Sequence, residues 1–327
     1  MLRTQIGRLA TFSAGKVAVA CPGQGIVPKG CLYGFRKHEK LIKPSLHLVD
    51  EVLGENFSKH LLEEPSSDAD VWSLRTSNAQ PAILTATFIT YSLFRDLYGI
   101  DLVKHEKTGF LLGHSLGEYS ALTLGGVLEF GQAVKIVRQR GLLMEELVKD
   151  SDYSMMVLVF RPKSFDVVSE VASKHKVLAC VNNSSQVSIS GSPKQLETAL
   201  AEMPKGAVLK SVKLPVKIPF HNELLGSIEP QLAQLSDGNA SPLKPIISNL
   251  TGSVGTGSSF LNTVKDNSKP VLWKQSLEFL KENEIEGIVN LGPGSALGDM
   301  NKRSGMENYP LVGLEDMEKL AQTWDSL

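Results

Sequence analysis

An α/β fold with a parallel-sheet core and an inserted ferredoxin-like subdomain is the class this sequence predicts, and three stretches predict it. A strand at 109–112, a tight turn at 113–117 and a helix from Glu118 follow one another without a break. Six short elements between about 153 and 216 then read as βαββαβ, the order of a ferredoxin-like unit with its own apolar faces. Beyond them the chain returns to alternating strands and helices, as a parallel sheet requires.

The elements can be justified in order. Residues 16–21 alternate β-branched and small side chains before Pro22-Gly23-Gln24-Gly25, a buried strand running into a tight loop. Residues 80–97 form a helix with a wide apolar face, and 130–149 form another. Inside the insertion the strand 155–160 leads to the helix 164–175. Strands 177–181 and 186–190, the helix 193–203 and the strand 207–216 complete the unit. A strand at 245–249, a Gly/Ser-rich loop at 252–259, a helix at 273–282 and a strand at 287–291 before Gly292-Pro293-Gly294 follow. The implied division is a core of 16–152 and 218–327 with the insertion at 153–217.

Composition bounds the function. The chain has 327 residues, 42% hydrophobic and 21% charged, enough for about two domains and a cleft between them. With 34 Lys+Arg against 35 Asp+Glu the net charge is −1, which argues against general nucleic-acid binding. Cys21, Cys31 and Cys180 cannot all pair and show no C-x-x-C spacing, so a reducing compartment is expected, with neither a disulfide scaffold nor a structural zinc. The longest uncharged stretch, from Thr76 to Phe94, is too polar for a bilayer, so no membrane span is expected. At the N-terminus Arg3, Arg8 and Lys16 lie among Thr and Ser, with no acid before Glu39. That bias reads either as a mitochondrial transit peptide over 1–15 or as a frayed basic terminus.

Gly113-His114-Ser115-Leu116-Gly117 is a G-x-S-x-G motif in the strand–turn–helix setting that gives it meaning. A serine on so sharp a turn needs small flanks, and the helix N-terminus favours developing negative charge. The bland reading of Ser115 is an N-cap on a glycine turn. A nucleophilic serine needs a base, and seven histidines are available. His38, His47, His60, His105 and His175 sit among polar residues and read as surface groups, whereas the His114 ring supports the turn. His221 follows the apolar run 214–220 at the hand-back from insertion to core, where it can face the cleft, although a lone histidine beside Phe220 also reads as structural.

These residues carry a resemblance. Gly113-His114-Ser115-Leu116-Gly117-Glu118, with Pro22-Gly23-Gln24-Gly25 and Ala79-Gln80-Pro81-Ala82 before it, and Arg140-Gly141, Met144, Phe220-His221, Asn249-x-x-Gly252 and Gly292-Pro293-Gly294 after it, resembles the malonyl-CoA:acyl-carrier-protein transacylase family. Order and spacing match from about Lys16 to about Met300, including the interval from Ser115 to Arg140 (140 − 115 = 25). The resemblance implies a hydrolase-like α/β core, with Ser115 as nucleophile and His221 as base. It implies the N–H groups of Leu116 and Gln24 as oxyanion donors, and Arg140 as the bidentate partner of the malonyl carboxylate. Asn182 would face the cleft from the insertion, although it also reads as a turn residue, and Phe220 would leave little room for a branched acyl group. Malonyl-CoA and acyl carrier protein are the implied substrates, fatty-acid synthesis the implied role, and a monomer without metal or cofactor the implied form. The N-terminal bias, and not the resemblance, gives the mitochondrial matrix as the expected address, with the cytoplasm as the alternative.

Two departures bear on this reading. The family's Ser-Gln after Pro-Gly-Gln-Gly is Ile26-Val27 here, and Asp266 stands where the family commonly has a glutamine whose carbonyl steadies the histidine. The Asp266 carboxylate is a candidate third member of a triad. Lys205, Lys210, Lys213 and Lys217 are candidate contacts for an acidic carrier or for coenzyme A phosphates, or simply a solvated face. The rival activity is a serine hydrolase or thioesterase, which shares Ser115 and His221 but delivers the acyl group to water.

Overall fold

A computed structural model describes residues 16–25, 30–65 and 71–327; the candidate presequence and Ile26-Val27 lie outside these residues. Among the described residues ten strands form two sheets. Strands β1 (Val17–Cys21), β2 (Thr108–Gly113), β7 (Ile246–Ser248), β8 (Ser253–Val254), β9 (Gly287–Leu291) and β10 (Glu307–Leu311) build the first, in the order β10-β9-β1-β2-β7-β8. All its pairings are parallel except that of β8 with β7. β1, β2 and β9 are buried along their whole length, as expected of parallel strands covered on both faces.

Register explains where the site must lie. Cys21 of β1 pairs with Gly113 of β2, and Ala20 with Asn290 of β9, so three adjacent strands end at one edge. The loops after them, at 22–25, 113–117 and 292–294, therefore gather at the carboxyl end of the sheet, where open α/β folds bind ligands. β7 flanks β2 and delivers Asn249 to the same edge.

The second sheet is the insertion: β3 (Ser154–Phe160), β4 (Leu178–Asn183), β5 (Gln186–Gly191) and β6 (Val208–Lys213), antiparallel in the order β4-β5-β3-β6. That order is the ferredoxin-like one. Helices Phe165–Lys174 and Pro193–Glu202 cover one face through Leu158, Phe160, Val168, Ile189 and Leu196. Alternation turns Met155 and Val157 to the opposite face, toward the first sheet. A parallel bridge between Cys180 and Val271 ties the two bodies together.

Several elements differ from the sequence expectation, β8 among them, since it lies within the loop expected over 252–259. The helix expected over 80–97 begins at Thr76 and runs to Tyr98. Pro81 has no N–H for the Ser77 carbonyl, but Arg138 Nη1 donates to that oxygen at 2.9 Å, so the first turn persists. The strand expected over 207–216 stops at Lys213, because Pro215 has no N–H to continue the ladder; Leu214 and Val216 turn into the interior cavity instead. No element is expected from the sequence over 307–311; β10 there is an edge strand, where Pro310 is tolerated. Among the described residues no helix is long and apolar enough to cross a membrane.

Candidate active site

The turn after β2 carries Ser115 at φ 54° and ψ −112°, a strained conformation for a residue with a side chain. The turn is that sharp because its glycines allow it. A Cβ on Gly113 would fall 1.9 Å from the Gly117 carbonyl carbon, and one on Gly117 would fall 2.2 Å from the Cys21 oxygen. Ser115 then opens the helix Leu116–Leu124, whose first N–H groups have no intrahelical acceptor. The Gly117 and Glu118 N–H groups turn back to the His114 and Ser115 carbonyls at 2.9 and 3.0 Å, the Leu116 amide directly follows Ser115, and Gln24 lines the same cavity from the loop after β1. The Gln24 side chain is anchored: its Oε1 accepts the Thr76 hydroxyl at 2.6 Å.

His221 sits at φ 58° where the insertion hands back to the core. β5 pins that segment, since Ser190 Oγ donates to the Phe220 carbonyl at 2.7 Å and Asn222 Nδ2 donates to the Ser190 carbonyl at 3.1 Å. The structure brings His221 Nε2 within 2.6 Å of Ser115 Oγ. On the other side of the ring, Nδ1 lies 2.9 Å from the Asp266 carbonyl and 3.0 Å from the Lys269 carbonyl. Two acceptors at Nδ1 place the imidazole proton there, which leaves Nε2 free to take the serine proton. Burial, reinforced by the positive charge of Arg140, pushes the imidazole down to about 3.

The side-chain triad through Asp266 is not formed. Its carboxylate Oδ2 stands 3.7 Å from Nδ1, beyond hydrogen-bond reach, while its carbonyl makes the contact. Burial and the nearby Glu118 hold the Asp266 carboxyl well above the usual carboxylate range, which removes the charge a triad would use.

Arg140 projects from the helix Phe130–Val148 into the cavity wall with 2% of its surface exposed. Its Nε donates to Asn267 Oδ1 at 2.7 Å, its Nη1 donates to Gln80 Oε1 at 2.8 Å, and its guanidinium carbon lies 5.5 Å from the Tyr119 ring centre. Among the described residues no carboxylate forms an ion pair with it. Desolvation pulls its pKa down, and the cavity wall holds a buried guanidinium with no ionic partner among the described residues.

Asn182 lines the cavity from β4, but its amide is committed: Oδ1 is 3.1 Å from His114 Nε2, and Nδ2 donates to Ser188 Oγ at 3.3 Å. The His114 ring in turn meets Trp273 edge-on at 5.4 Å. The other five histidines lie away from this cavity. The cavity itself measures about 560 Å³ and lies between the two sheets, walled on the insertion side by Met155, Val157, Leu214 and Val216. Lys205, Lys210, Lys213 and Lys217 are all exposed, the last two flanking the cavity-lining Leu214 and Val216. Tyr119, Gln80, Asn267 and Thr76 complete the site without having been assigned a role in the sequence. The retrievable signal was the polar residues of the helix from Thr76, too polar for a simple core helix.

A serine hydroxyl hydrogen-bonded to an uncharged buried imidazole, beside helix N–H donors, defines a serine acyl-transfer site. The chain belongs to the acyl transferase domain family, whose model matches residues 21–310. It is 32% identical over 320 residues to the malonyl CoA-acyl carrier protein transacylase of Bacillus subtilis, covering 94% of this chain and 76% of that one. The Escherichia coli K12 enzyme of the same name is 27% identical over 295 residues, covering 88% and 92%. Among solved structures, the malonyl-CoA:acyl carrier protein transacylase of Xanthomonas oryzae pv. oryzae superposes with a TM-score of 0.84 at 26% identity, covering 95% of this chain and 99% of that one.

Proposed function

We propose that this protein transfers the malonyl group of malonyl-CoA to the phosphopantetheine thiol of an acyl carrier protein, through a malonyl ester on Ser115. His221 Nε2 takes the Ser115 proton as Oγ bonds to the thioester carbonyl carbon. The oxyanion rests on the N–H groups of Leu116 and Gln24; the C–S bond then breaks, and His221 returns the proton to the coenzyme A thiolate. The carrier thiol repeats the sequence in reverse and takes the acyl group. No step as written calls for a cofactor. The relatives named above act with an acyl carrier protein by name, which supports the acceptor and a role in fatty-acid synthesis.

The observation that carries this reading is Arg140, a buried guanidinium without an ionic partner among the described residues, in the same cavity as the Ser115–His221 pair. A hydrolase for neutral acyl chains gains nothing from such a cation, whereas a malonyl carboxylate supplies the missing charge in two parallel bonds. The acyl-enzyme lifetime tests it. After exposure to malonyl-CoA the malonyl ester should persist in buffer and discharge within seconds of adding a pantetheine thiol; rapid loss to water with no acceptor present would identify a thioesterase.

Carrier docking is assigned to Lys213 and Lys217, which flank the cavity mouth with Lys205 and Lys210 further along the same exposed edge. An acidic carrier would meet this local positive surface despite the neutral total. Charge reversal at Lys213 and Lys217 should raise KM for carrier several-fold and leave KM for malonyl-CoA within about twofold; equal increases would rule docking out. A mitochondrial address for this activity is supported by the basic, acid-free N-terminal composition, and targeting of a fused reporter by residues 1–15 checks it.

A further inference from the structure

Glu118 is the third residue of the helix that Ser115 opens, and 1% of its surface is exposed. Its Oε2 accepts the backbone N–H of Asn249 at 2.7 Å and also the Asn249 side-chain amide. Asn249 in turn straddles the nucleophile. Its Oδ1 accepts the Ser115 N–H at 2.8 Å, and its Nδ2 donates to the Gly113 carbonyl at 2.6 Å. The other carboxyl oxygen, Oε1, lies 2.6 Å from Thr263 Oγ1. Thr263 belongs to the helix Ser259–Lys265, which runs directly into Asp266, whose carbonyl holds His221 Nδ1.

Both carboxyl oxygens are thereby committed as acceptors. Thr263 Oγ1 donates its one hydrogen to Oε1, the Ser259 carbonyl at 3.0 Å being the longer contact. Among the described residues no cation forms an ion pair with Glu118, so these hydrogen bonds are what compensates its burial. Burial pushes the Glu118 carboxyl up to about 7, against the hydrogen bonds from Thr263, Asn249 and Ser248 that lower it.

We infer that Glu118 is a positioning residue that joins the Ser115 turn, through Asn249, to the segment holding His221, through Thr263. Two pieces of chain that meet only in the fold are thereby held at the separation the 2.6 Å Ser115–His221 contact needs. The inference deepens the transfer reading and rests on it only for the choice of acylating substrate.

The test compares Glu118→Ala and Glu118→Gln with native protein in single-turnover acylation by malonyl-CoA, alongside labelling of Ser115 by a fluorophosphonate. Glutamine can keep both links: its oxygen accepts from Asn249, and its amide donates to Thr263 Oγ1, whose hydrogen then turns to the Ser259 carbonyl. Glu118→Ala should slow both reactions about 100-fold with KM for malonyl-CoA within about twofold, since small misplacements of reacting groups cost rate. Glu118→Gln should stay within about threefold of native. A Gln variant as slow as Ala would show that the charge, and not the links, is required, and an Ala variant as fast as native would show that nothing is positioned; either overturns the inference. Should the Ala variant fail to fold, Thr263→Val should slow both reactions about tenfold and Thr263→Ser should restore them. Native-like rates for Thr263→Val would overturn it equally. If the fluorophosphonate follows this pattern while malonyl-CoA labels no variant, the transfer reading fails and the positioning role stands.

Discussion

Ser115→Ala, exposed to malonyl-CoA, will show no added mass, and His221→Ala will acquire it at a rate at least about 10⁴-fold below native. Both follow from the contact between Ser115 Oγ and His221 Nε2 at 2.6 Å. Without the hydroxyl there is no oxygen to carry the ester. Without the imidazole the serine must ionise unaided, and its proton has no other acceptor at that distance. Because the two groups act as one unit, the double variant should be no slower than the worse single one. Intact-mass measurement after timed exposure reads all three, and a labelled Ser115→Ala would transfer the reaction to another side chain.

The same pair sets a pH dependence. The folded imidazole is pushed from 6.5 down to about 3 by burial, so it remains an uncharged base well below the ordinary histidine range. Acylation should therefore hold its rate from about pH 8 to about pH 5, where a solvent-exposed histidine would already have lost most of its basic form. Stability moves in the same window. Between about 3 and 6.5 the unfolded chain binds a proton at this site that the folded chain does not, so the contribution is intact above about 6.5 and is lost as the pH falls toward 3. His221→Gln should flatten that part of the melting-temperature profile. A rate that halves near pH 6.5 in the native protein would show the imidazole to be exposed to solvent during turnover.

What was legible in the sequence was what is local. The Ser115 turn can be read because it is one continuous motif, with Gly113 demanded by Gly117 four residues on even though Gly117 itself faces Cys21 of β1, and the βαββαβ unit because each strand carries its own alternation. His221 was legible only as a candidate, from its place at the hand-back; the carbonyls that orient it belong to Asp266 and Lys269, 45 and 48 residues on. Glu118 carried no signal beyond its place in the motif, since its partners Asn249 and Thr263 lie 131 and 145 residues away. The early start of the Thr76 helix was hidden for the same reason, because Arg138, 61 residues on, satisfies the carbonyl that Pro81 abandons. The Asp266 triad failed for a different one. Spacing placed the residue correctly, but only packing decides whether backbone or side chain faces the ring.

Arg140→Ala should lower kcat/KM for malonyl-CoA by about 10² to 10⁴ while leaving acetyl-CoA turnover within a few-fold of native. Two charge-assisted hydrogen bonds to a carboxylate contribute about 1.5–3 kcal/mol each, and an acetyl group has no carboxylate to lose them. Arg140→Lys should not rescue the preference, because an ammonium cannot present two parallel donors and cannot reach Asn267 and Gln80 in the guanidinium's place. The truncation also strands Asn267 Oδ1 and Gln80 Oε1, both now 2.7–2.8 Å from the guanidinium, at a cost of about 1–3 kcal/mol each in stability. Melting must accordingly be measured beside kinetics. Removing Arg140 also takes a positive charge from beside His221, where it lowers the imidazole's proton affinity, so the variant's acid limb should move toward higher pH. Equal losses for malonyl and acetyl substrates would mean that the guanidinium only holds the cavity wall together, and the anion this buried cation is poised to receive would have to be sought elsewhere on the substrate.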